Sequence, residues 1–220
     1  MHNQKNLFEY ILFDLDGTLT DPKEGITKCV QYALASVGID EPDLDKLLCF
    51  IGPPLVDSFT GIYYMTPDEA QKALAFYRER FTDTGIYENA LINGVPELLK
   101  KLKKHGKTIA LATSKPHVYA NRILDFYGLS QYFDIKVGAE LDGTRNEKKD
   151  VIAEVLRQLP SDASPVMVGD RRQDITGAKL CNIPSVGVRF GYAEENELEN
   201  AGADFIAENV DELYKILMSE

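Results

Sequence analysis

The spacing of apolar residues changes twice along the chain, and each change predicts a different kind of element. Tyr10–Phe13 is a short apolar run that leads into Asp14, which is typical of a buried strand. From residue 22 to about residue 84, apolar side chains recur at helical spacing. From about Gly85 onward, short apolar runs alternate with helical patterns. The chain therefore starts as a strand, continues as a helical block and ends as an alternation of strands and helices.

Two helices of the helical block can be placed from their ends. The apolar positions of residues 24–38 share one face, and the glycine at position 38 is suited to end that helix. In the second helix, Thr66 is a capping residue, Pro67 stands at the first helical position and Glu69 follows three residues after the cap. No convincing strand interrupts the block, so we expect it to be helical throughout.

The alternating part of the chain predicts a parallel sheet with helices on both faces. Strand–helix–strand order is typical of a doubly wound α/β fold, because each helix carries the chain back to begin the next parallel strand. The opening strand has to join this sheet, so the helical block is an insertion after it. We expect an α/β core of residues 1–20 and 86–220 and a helical cap domain of residues 21–85. The predicted strands are Thr108–Ser114, Pro165–Asp170, Ile183–Gly191 and Asp204–Ala207, and the predicted helices are Val95–Lys104, His117–Tyr127 and Lys148–Leu159.

The composition limits which binding partners and which cellular compartment we expect for the protein. The 220 residues carry a formal net charge of −11, which argues against nucleic acid or an anionic membrane surface as a partner. No apolar run reaches the roughly 18 residues of a membrane span, and the N-terminus lacks the profile of a signal peptide. Three cysteines, odd in number and far apart, suit a reducing compartment and core packing. We expect a cytoplasmic monomer or homodimer that acts on a small molecule, with a solvated acidic face after Glu194.

Reactive side chains follow the ends of the best predicted strands. The first strand runs into Asp14 and Asp16, a later one ends in two hydroxyl residues, and a third ends at Asp170 with Asp174 four residues on. Ligands of an open parallel sheet bind at the carboxyl ends of the strands, so we expect these groups in one crevice. Two carboxylates about 4 Å apart repel by roughly 4 kcal/mol at an effective dielectric constant of 20, so they share a proton or surround a cation. Four aspartates favour the cation, and an oxygen-only set of donors favours Mg²⁺.

Four short motifs in this order resemble those of the haloacid dehalogenase superfamily of phosphatases. They are DLDGT at residues 14–18, ATS at residues 112–114, a lysine, and GDRRQD at residues 169–174. The helical block between the first two motifs is similar to the small α-helical cap of that superfamily. The resemblance covers nearly the whole chain and implies a Mg²⁺-dependent phosphatase that hydrolyses a small phosphate ester.

The resemblance also implies a role for each motif. Asp14 would attack phosphorus and become an aspartyl-phosphate, and Asp16 would act as general acid and base. Thr113, and with it Ser114, would donate hydrogen bonds to the phosphoryl oxygens. Asp170 would bind Mg²⁺ directly, together with the Asp14 carboxylate and the backbone carbonyl of Asp16.

Two assignments stay open at this point. The third-motif lysine is Lys148 or Lys149, and Lys148 is preferred because it stands three residues before an apolar pair, in the opening turn of a helix. Asp174 is either a metal ligand through water or a partner that holds this lysine.

Each motif alone also has a plainer interpretation. Asp-Gly dipeptides favour turns, and a Thr-Ser pair can cap a helix. A calcium-binding loop that starts at Asp14 is rejected, because glycine and glutamate would be needed where Leu19 and Gly25 stand. The order of the four motifs at successive strand ends favours the enzymatic interpretation.

Substrate choice is expected to lie in the cap, because the core supplies only phosphate and metal contacts. Gly52, Pro53 and Pro54 predict a stiff irregular turn that either leans over a small ligand or only joins two helices. Arg145, in the segment of residues 141–149, is expected to touch the substrate or the cap. These stretches are similar to the branch of phosphoglycolate phosphatases and cytosolic 5′-nucleotidases, and this resemblance favours a nucleoside 5′-monophosphate.

Two other functions remain open from the sequence. A phosphomutase of the same superfamily would keep Asp14 phosphorylated, but such mutases often carry Val or Ile where Thr18 stands. A non-enzymatic switch of the response-regulator type also combines acids, a hydroxyl and a lysine on a parallel sheet. That fold has no helical insertion like residues 22–84, which counts against the switch.

Overall fold

The structure, a computed structural model, describes residues 7–219, which form two compact units. One unit contains the chain up to Leu19 and from Leu91 onward, and the other is Thr20–Ala90. The first unit holds a six-stranded sheet with its flanking helices, and the second is built from helices. That the smaller unit acts as a cap during catalysis stays a prediction.

The main sheet is parallel throughout, with the strand order β5-β4-β1-β6-β7-β8. A separate two-stranded sheet joins β2 to β3. Parallel strands need long connections, and helices supply these connections along the chain. The predicted α/β fold with a doubly wound parallel sheet is therefore confirmed. The strands are β1 (Tyr10–Phe13), β2 (Thr20–Asp21), β3 (Ala90–Leu91), β4 (Thr108–Pro116), β5 (Ile135–Ala139), β6 (Pro165–Gly169), β7 (Ser185–Val188) and β8 (Phe205–Ala207).

The central strand β1 is buried on both faces, as its continuous apolar run predicts. Ile11, Leu12 and Phe13 have no exposed surface, although successive side chains of a strand point to opposite faces. Leu12 belongs to a core cluster with Met167 of β6 and Ile152, which lies in a helix beside the sheet. A sheet covered on both faces leaves its strand ends as the place where polar side chains can gather.

Three helices of the first unit begin at their predicted residues, Val95, His117 and Lys148. The first also ends as predicted at Lys104, whereas the other two end earlier, at Phe126 and Leu156. Helix α7 begins at Arg172, within the GDRRQD motif, and was not among the predicted helices. The helices of this unit are α4 (Val95–Lys104), α5 (His117–Phe126), α6 (Lys148–Leu156), α7 (Arg172–Leu180), α8 (Glu197–Ala201) and α9 (Val210–Met218).

The expectation of a solvated face after Glu194 is wrong in part. This segment forms α8, β8 and α9, and Leu198, Leu213 and Leu217 are buried. Most of its acidic residues are exposed, although the Glu197 side chain is largely buried against Arg171, and their number hid the helical spacing of the apolar side chains.

Two strand predictions also need correction. The predicted strand Ile183–Gly191 is shorter in the structure, where only the four residues of β7 pair with a neighbour. Strand β5 was not predicted at all, because it lies at the edge of the sheet and its half-buried Lys136 interrupts the apolar pattern.

The second unit contains α1 (Lys23–Ser36), α2 (Leu55–Tyr63) and α3 (Pro67–Arg80), with a 3₁₀ segment at Leu44–Phe50 and a π-helical turn at Phe81–Gly85. The predicted capping box is present: the Glu69 carboxylate accepts a hydrogen bond of 2.8 Å from the Thr66 N–H, and the Thr66 hydroxyl accepts one from the Glu69 N–H. Helices α1 and α3 pack against each other through their buried faces. The pattern-based prediction of a helical block is confirmed for this part of the chain.

Within residues 7–219, no helix is both long enough and apolar enough to cross a membrane. In the described part of the chain, the three cysteines form no disulfide bond. Cys29 lies in the core as expected, but Cys49 is exposed, so core packing does not explain it.

Candidate active site

The carboxyl ends of β4, β1 and β6 lie side by side and bring the predicted site residues together. Phe13 is level with Leu111 of β4 and Val168 of β6, so the residue after Phe13 stands at a shared edge. Asp14 is held there by its N–H, which donates a hydrogen bond of 2.9 Å to the Val168 carbonyl. Asp170 follows the last residue of β6 in the same way. Parallel pairing therefore explains why residues more than 150 positions apart meet.

Lys148 connects two of these aspartates. Its ammonium nitrogen lies 2.9 Å from Oδ1 of Asp14 and 2.8 Å from Oδ1 of Asp174, and it donates a third bond of 3.2 Å to the Ala112 carbonyl. The lysine is the first residue of α6, as predicted, and its side chain is buried. Lys149, the alternative, is exposed and pairs with Glu147 instead. The structure thus places Lys148 in the cluster and in contact with Asp174, and the roles of both residues stay predictions.

Three aspartates form a compact cluster of carboxylates. Asp14, Asp170 and Asp174 each offer one oxygen, and these oxygens all lie within 4.8 Å of one another. All three residues are buried. Asp16 is not one of these carboxylates, because its side chain turns to Lys115, with 2.6 Å between Oδ2 and Nζ.

The burial of these groups opposes their ionisation. Burial raises the pKa of the Asp170 carboxyl well above its usual range, and the neighbouring charges of Asp174 and Asp14 add to this. Burial likewise raises the pKa of Asp174 to about 6, although the ammonium group of Lys148 opposes the shift. Burial alone would lower the pKa of Lys148, but the two carboxylates outweigh it and raise that pKa, so the lysine stays charged. A carboxylate cluster of this kind is costly unless a cation joins it.

The chemistry of the cluster fits a divalent metal ion. Its donors are oxygen atoms only, which Mg²⁺ prefers. The four aspartates at this edge face two ammonium groups, those of Lys115 and Lys148. With all four carboxyl groups ionised, two negative charges would have no counter-charge, and a divalent cation would supply it.

Two backbone segments and the Thr18 hydroxyl enclose Asp170. The Tyr192 N–H donates a hydrogen bond of 2.8 Å to Oδ2, and the Thr18 hydroxyl donates one of 3.3 Å to Oδ1. A Cβ atom added at Gly17 or Gly191 would lie closer than 3.0 Å to the Asp170 side chain, and Gly17 also has a φ of +79°. Glycine is needed at both positions because the chain approaches the carboxylate so closely.

Gly191→Ala is expected to destabilise the protein by about 1–3 kcal/mol, because the added methyl group must displace the Asp170 carboxylate, the Gly17 carbonyl or its own loop. Chemical denaturation measures the effect. Gly61→Ala is the control, since a Cβ at this helical position meets nothing within 4 Å. It should stabilise the protein by about 0.5–1 kcal/mol. Equal stability changes in the two variants would contradict the close approach.

The predicted phosphate-binding hydroxyls lie at the end of β4. Thr113 is buried, and its hydroxyl accepts a hydrogen bond of 3.2 Å from the Lys115 N–H. Ser114 is half-buried beside it. Both are near the Asp14 end of the neighbouring strand, and their part in phosphate binding stays a prediction.

The residues predicted to select the substrate lie outside this cluster. The predicted irregular turn lies in the second unit, between the 3₁₀ segment and α2. Its residues Gly52, Pro53 and Pro54 are half-buried. Arg145 lies in the loop before α6 with a φ of +58°, and its guanidinium contacts the Glu140 carboxylate. Their roles in substrate choice stay predictions.

The comparison with known proteins agrees with this geometry. The family model described as haloacid dehalogenase-like hydrolase matches residues 11–188 of the chain. The chain belongs to this family. The predicted superfamily is therefore confirmed. Phosphatases of the family generally use a divalent metal, and the aspartate cluster is the candidate site for it in this hydrolase.

Several relatives of this hydrolase are named as phosphate-ester enzymes. A 5′-nucleotidase from Pseudomonas aeruginosa is 48% identical over 189 residues, which cover 86% of this chain and 86% of that protein. A phosphoglycolate phosphatase from Cupriavidus necator is 29% identical and covers 94% of this chain and 92% of its own. Tyrosine-protein kinase PtkA from Mycobacterium tuberculosis is 35% identical, over 95% of this chain and 72% of that protein.

A solved structure extends the likeness to three dimensions. The crystal structure of a predicted phosphatase from Clostridium acetobutylicum superposes with a TM-score of 0.93 at 43% identity, and the match covers 97% of this chain and 99% of that one. The matched family and the relatives named as phosphatases together show that this hydrolase is a phosphatase.

Sequence reasoning missed several residues that shape the site. It gave no role to Lys115, Gly191 or Tyr192, which contact Asp16 or Asp170 in the structure. Lys115 directly follows the ATS motif and could have been found as a cation at a strand end. Gly191 and Tyr192 carry no such signal, because only the folded chain brings them to Asp170.

Proposed function

We propose that the chain is a Mg²⁺-dependent phosphomonoesterase that forms an aspartyl-phosphate on Asp14. The observation that carries the proposal is the contact between Asp14 and Lys148 beside the carboxylates of Asp170 and Asp174. A buried ammonium group and a cation site next to one carboxylate are what a phosphate dianion needs in order to approach it.

In the first step, a carboxylate oxygen of Asp14 attacks phosphorus as the bond between phosphorus and the ester oxygen breaks. The electron pair of that bond stays on the leaving oxygen, and Asp16 gives this oxygen a proton. Lys148 and the Thr113 hydroxyl bind the phosphoryl oxygens. Asp14, Asp170 and the Asp16 carbonyl would hold a divalent ion, which would supply Lewis-acid stabilisation of the phosphoryl charge when bound.

In the second step, water attacks phosphorus of the aspartyl-phosphate, and Asp16 takes the proton that the water loses. The Asp14 carboxylate leaves with its electron pair, so inorganic phosphate is released and the side chain is restored. Asp16 therefore ends the cycle protonated, as it began. Burial raises the pKa of Asp16 while Lys115 lowers it, and the net rise favours the protonated form that starts the cycle.

Chelation with EDTA is expected to lower kcat on the order of 10²-fold or more, because the metal contributes several kcal/mol to catalysis. Added Mg²⁺ should restore the rate, and it should also raise the melting temperature of the chelated protein. Asp170→Asn should abolish the rise in melting temperature, whereas the exposed Asp162→Asn should keep it. Full activity in the chelator would contradict the metal assignment.

A nucleoside 5′-monophosphate is the substrate we favour, because the relative named 5′-nucleotidase is 48% identical. A phosphoglycolate phosphatase is the second candidate, supported by the relative of that name at 29% identity. Steady-state kcat/KM for the nucleoside 5′-monophosphates and for 2-phosphoglycolate distinguishes the two. A higher value for 2-phosphoglycolate would contradict the first choice.

The same preparation tests other outcomes. Interconversion of hexose phosphates without release of phosphate would indicate a phosphomutase instead. Transfer of phosphate from ATP to a tyrosine peptide would indicate the activity named for PtkA, which is 35% identical. Steady release of phosphate from p-nitrophenyl phosphate would exclude a non-enzymatic switch, because a switch holds its phosphoryl group.

A further inference from the structure

A second buried ion pair lies at this strand edge, beside the one made by Lys148. The ammonium nitrogen of Lys115 is 2.6 Å from Oδ2 of Asp16, and the two side chains are only 6% and 13% exposed. Ion pairs with so little exposure have well-defined geometry, because neither partner can exchange its contact for water.

The two oxygens of Asp16 have different surroundings. Oδ2 receives the ammonium group, whereas Oδ1 is buried and has no hydrogen-bond partner within residues 7–219. A buried carboxyl oxygen is normally satisfied, so an unsatisfied one next to a reactive carboxylate indicates a functional position.

The position of Lys115 is set by its backbone. The pairing of β4 with β5 is irregular between Thr113 and Pro116, and such bulges redirect side chains next to active sites. The Lys115 N–H donates to the Thr113 hydroxyl, and a Cβ atom at Gly138 of β5 would lie 2.7 Å from the Lys115 carbonyl. The chain is therefore closely packed on both sides of Lys115, and the ammonium group is held toward β1.

We propose that Lys115 is a positioning residue, which anchors Oδ2 of Asp16 so that Oδ1 alone transfers the proton. The inference rests on the proposed function and specifies which oxygen of Asp16 carries the transferred proton. As the bond between phosphorus and the ester oxygen breaks, its electron pair goes to the leaving oxygen, which takes the proton from Oδ1. In the second step, the proton of the attacking water returns to Oδ1.

Leaving-group dependence tests this inference. Phenyl phosphate and p-nitrophenyl phosphate have similar shapes, but phenolate is the poorer leaving group and depends more on protonation. The value of kcat/KM reports the first chemical step. Lys115→Met should lower kcat/KM for phenyl phosphate about tenfold more than for p-nitrophenyl phosphate, because Asp16 loses its orientation. Lys115→Gln, which keeps a hydrogen-bond donor, should show a smaller change in the same direction.

Two controls separate positioning from structure. Lys107→Met removes a buried lysine at the other end of β4, whose ammonium group donates to the Phe8 carbonyl. It should lower stability and leave the ratio of the two kcat/KM values unchanged. In the Asp16→Asn background, Lys115→Met should change that ratio no further, because both substitutions act through the same proton.

The outcomes are distinguishable. Equal losses on the two esters, or a further change of the ratio in the Asp16→Asn background, overturn the positioning role alone. A wild-type chain that hydrolyses neither ester overturns the proposed function, and this inference with it.

Discussion

Asp14→Asn is expected to lower kcat on the order of 10⁴-fold or more, because the amide has the volume of the carboxylate but cannot attack phosphorus. The fold should persist. Lys148 keeps its contact of 2.8 Å with Asp174 when the Asp14 carboxylate is lost, so it does not become an isolated buried charge. Steady-state release of phosphate measures the rate, and circular dichroism checks the fold.

The control for this variant is Asp162→Asn, the same chemical change at an exposed residue before β6, at the opposite end of that strand from Asp170. It should retain full activity. If the Asp14→Asn variant kept more than a few per cent of the wild-type rate, the aspartyl-phosphate mechanism at Asp14 would be wrong.

Lys148→Met is expected to lower the free energy of unfolding of the chelated protein by about 3–5 kcal/mol. The loss arises because the substitution leaves Asp14 and Asp174 buried without the ammonium group that both contact. It should also reduce kcat/KM, since the charge proposed to bind the phosphoryl group is removed. Urea denaturation at low salt with EDTA measures the stability, and added Mg²⁺ should recover part of it by neutralising the same carboxylates.

Lys149→Met is the matched control and decides between the two lysines left open by the sequence. Lys149 is 44% exposed and pairs with Glu147, which is 68% exposed, so its loss should cost less than about 1 kcal/mol. A larger loss of activity in the Lys149→Met variant than in the Lys148→Met variant would reverse the assignment.

The parts of the fold that follow local rules could be predicted from the sequence. β1 was recognisable because four apolar residues in a row suit a strand covered on both faces. Thr66 and Lys148 mark helix starts, because a capping box and an apolar pair three residues on are short-range patterns. The order of the motifs along the chain was enough to place Asp14 and Asp170 at one edge, since parallel strands end together.

The contacts that could not be predicted are those that only the folded chain creates. No pattern in the sequence indicated that Lys115, which lies 99 positions away, would contact the Asp16 side chain. The hydrogen bond from the Tyr192 N–H to Asp170 likewise spans 22 positions, and no residue spacing in the sequence predicts it. Strand β5 escaped prediction because an edge strand needs fewer apolar residues than a central one.

The backbone enclosure of Asp170 has a consequence for how this protein can change over generations. Peptide groups are the same whichever side chains are selected, so drift at Tyr192 leaves its N–H bond to the carboxylate in place. Gly17 and Gly191 are closed to replacement there, and Thr18 supplies a bond through its side chain. This part of the carboxylate edge is therefore insulated from many side-chain substitutions, and new substrate preferences can evolve in loops and helices elsewhere without rebuilding the cluster.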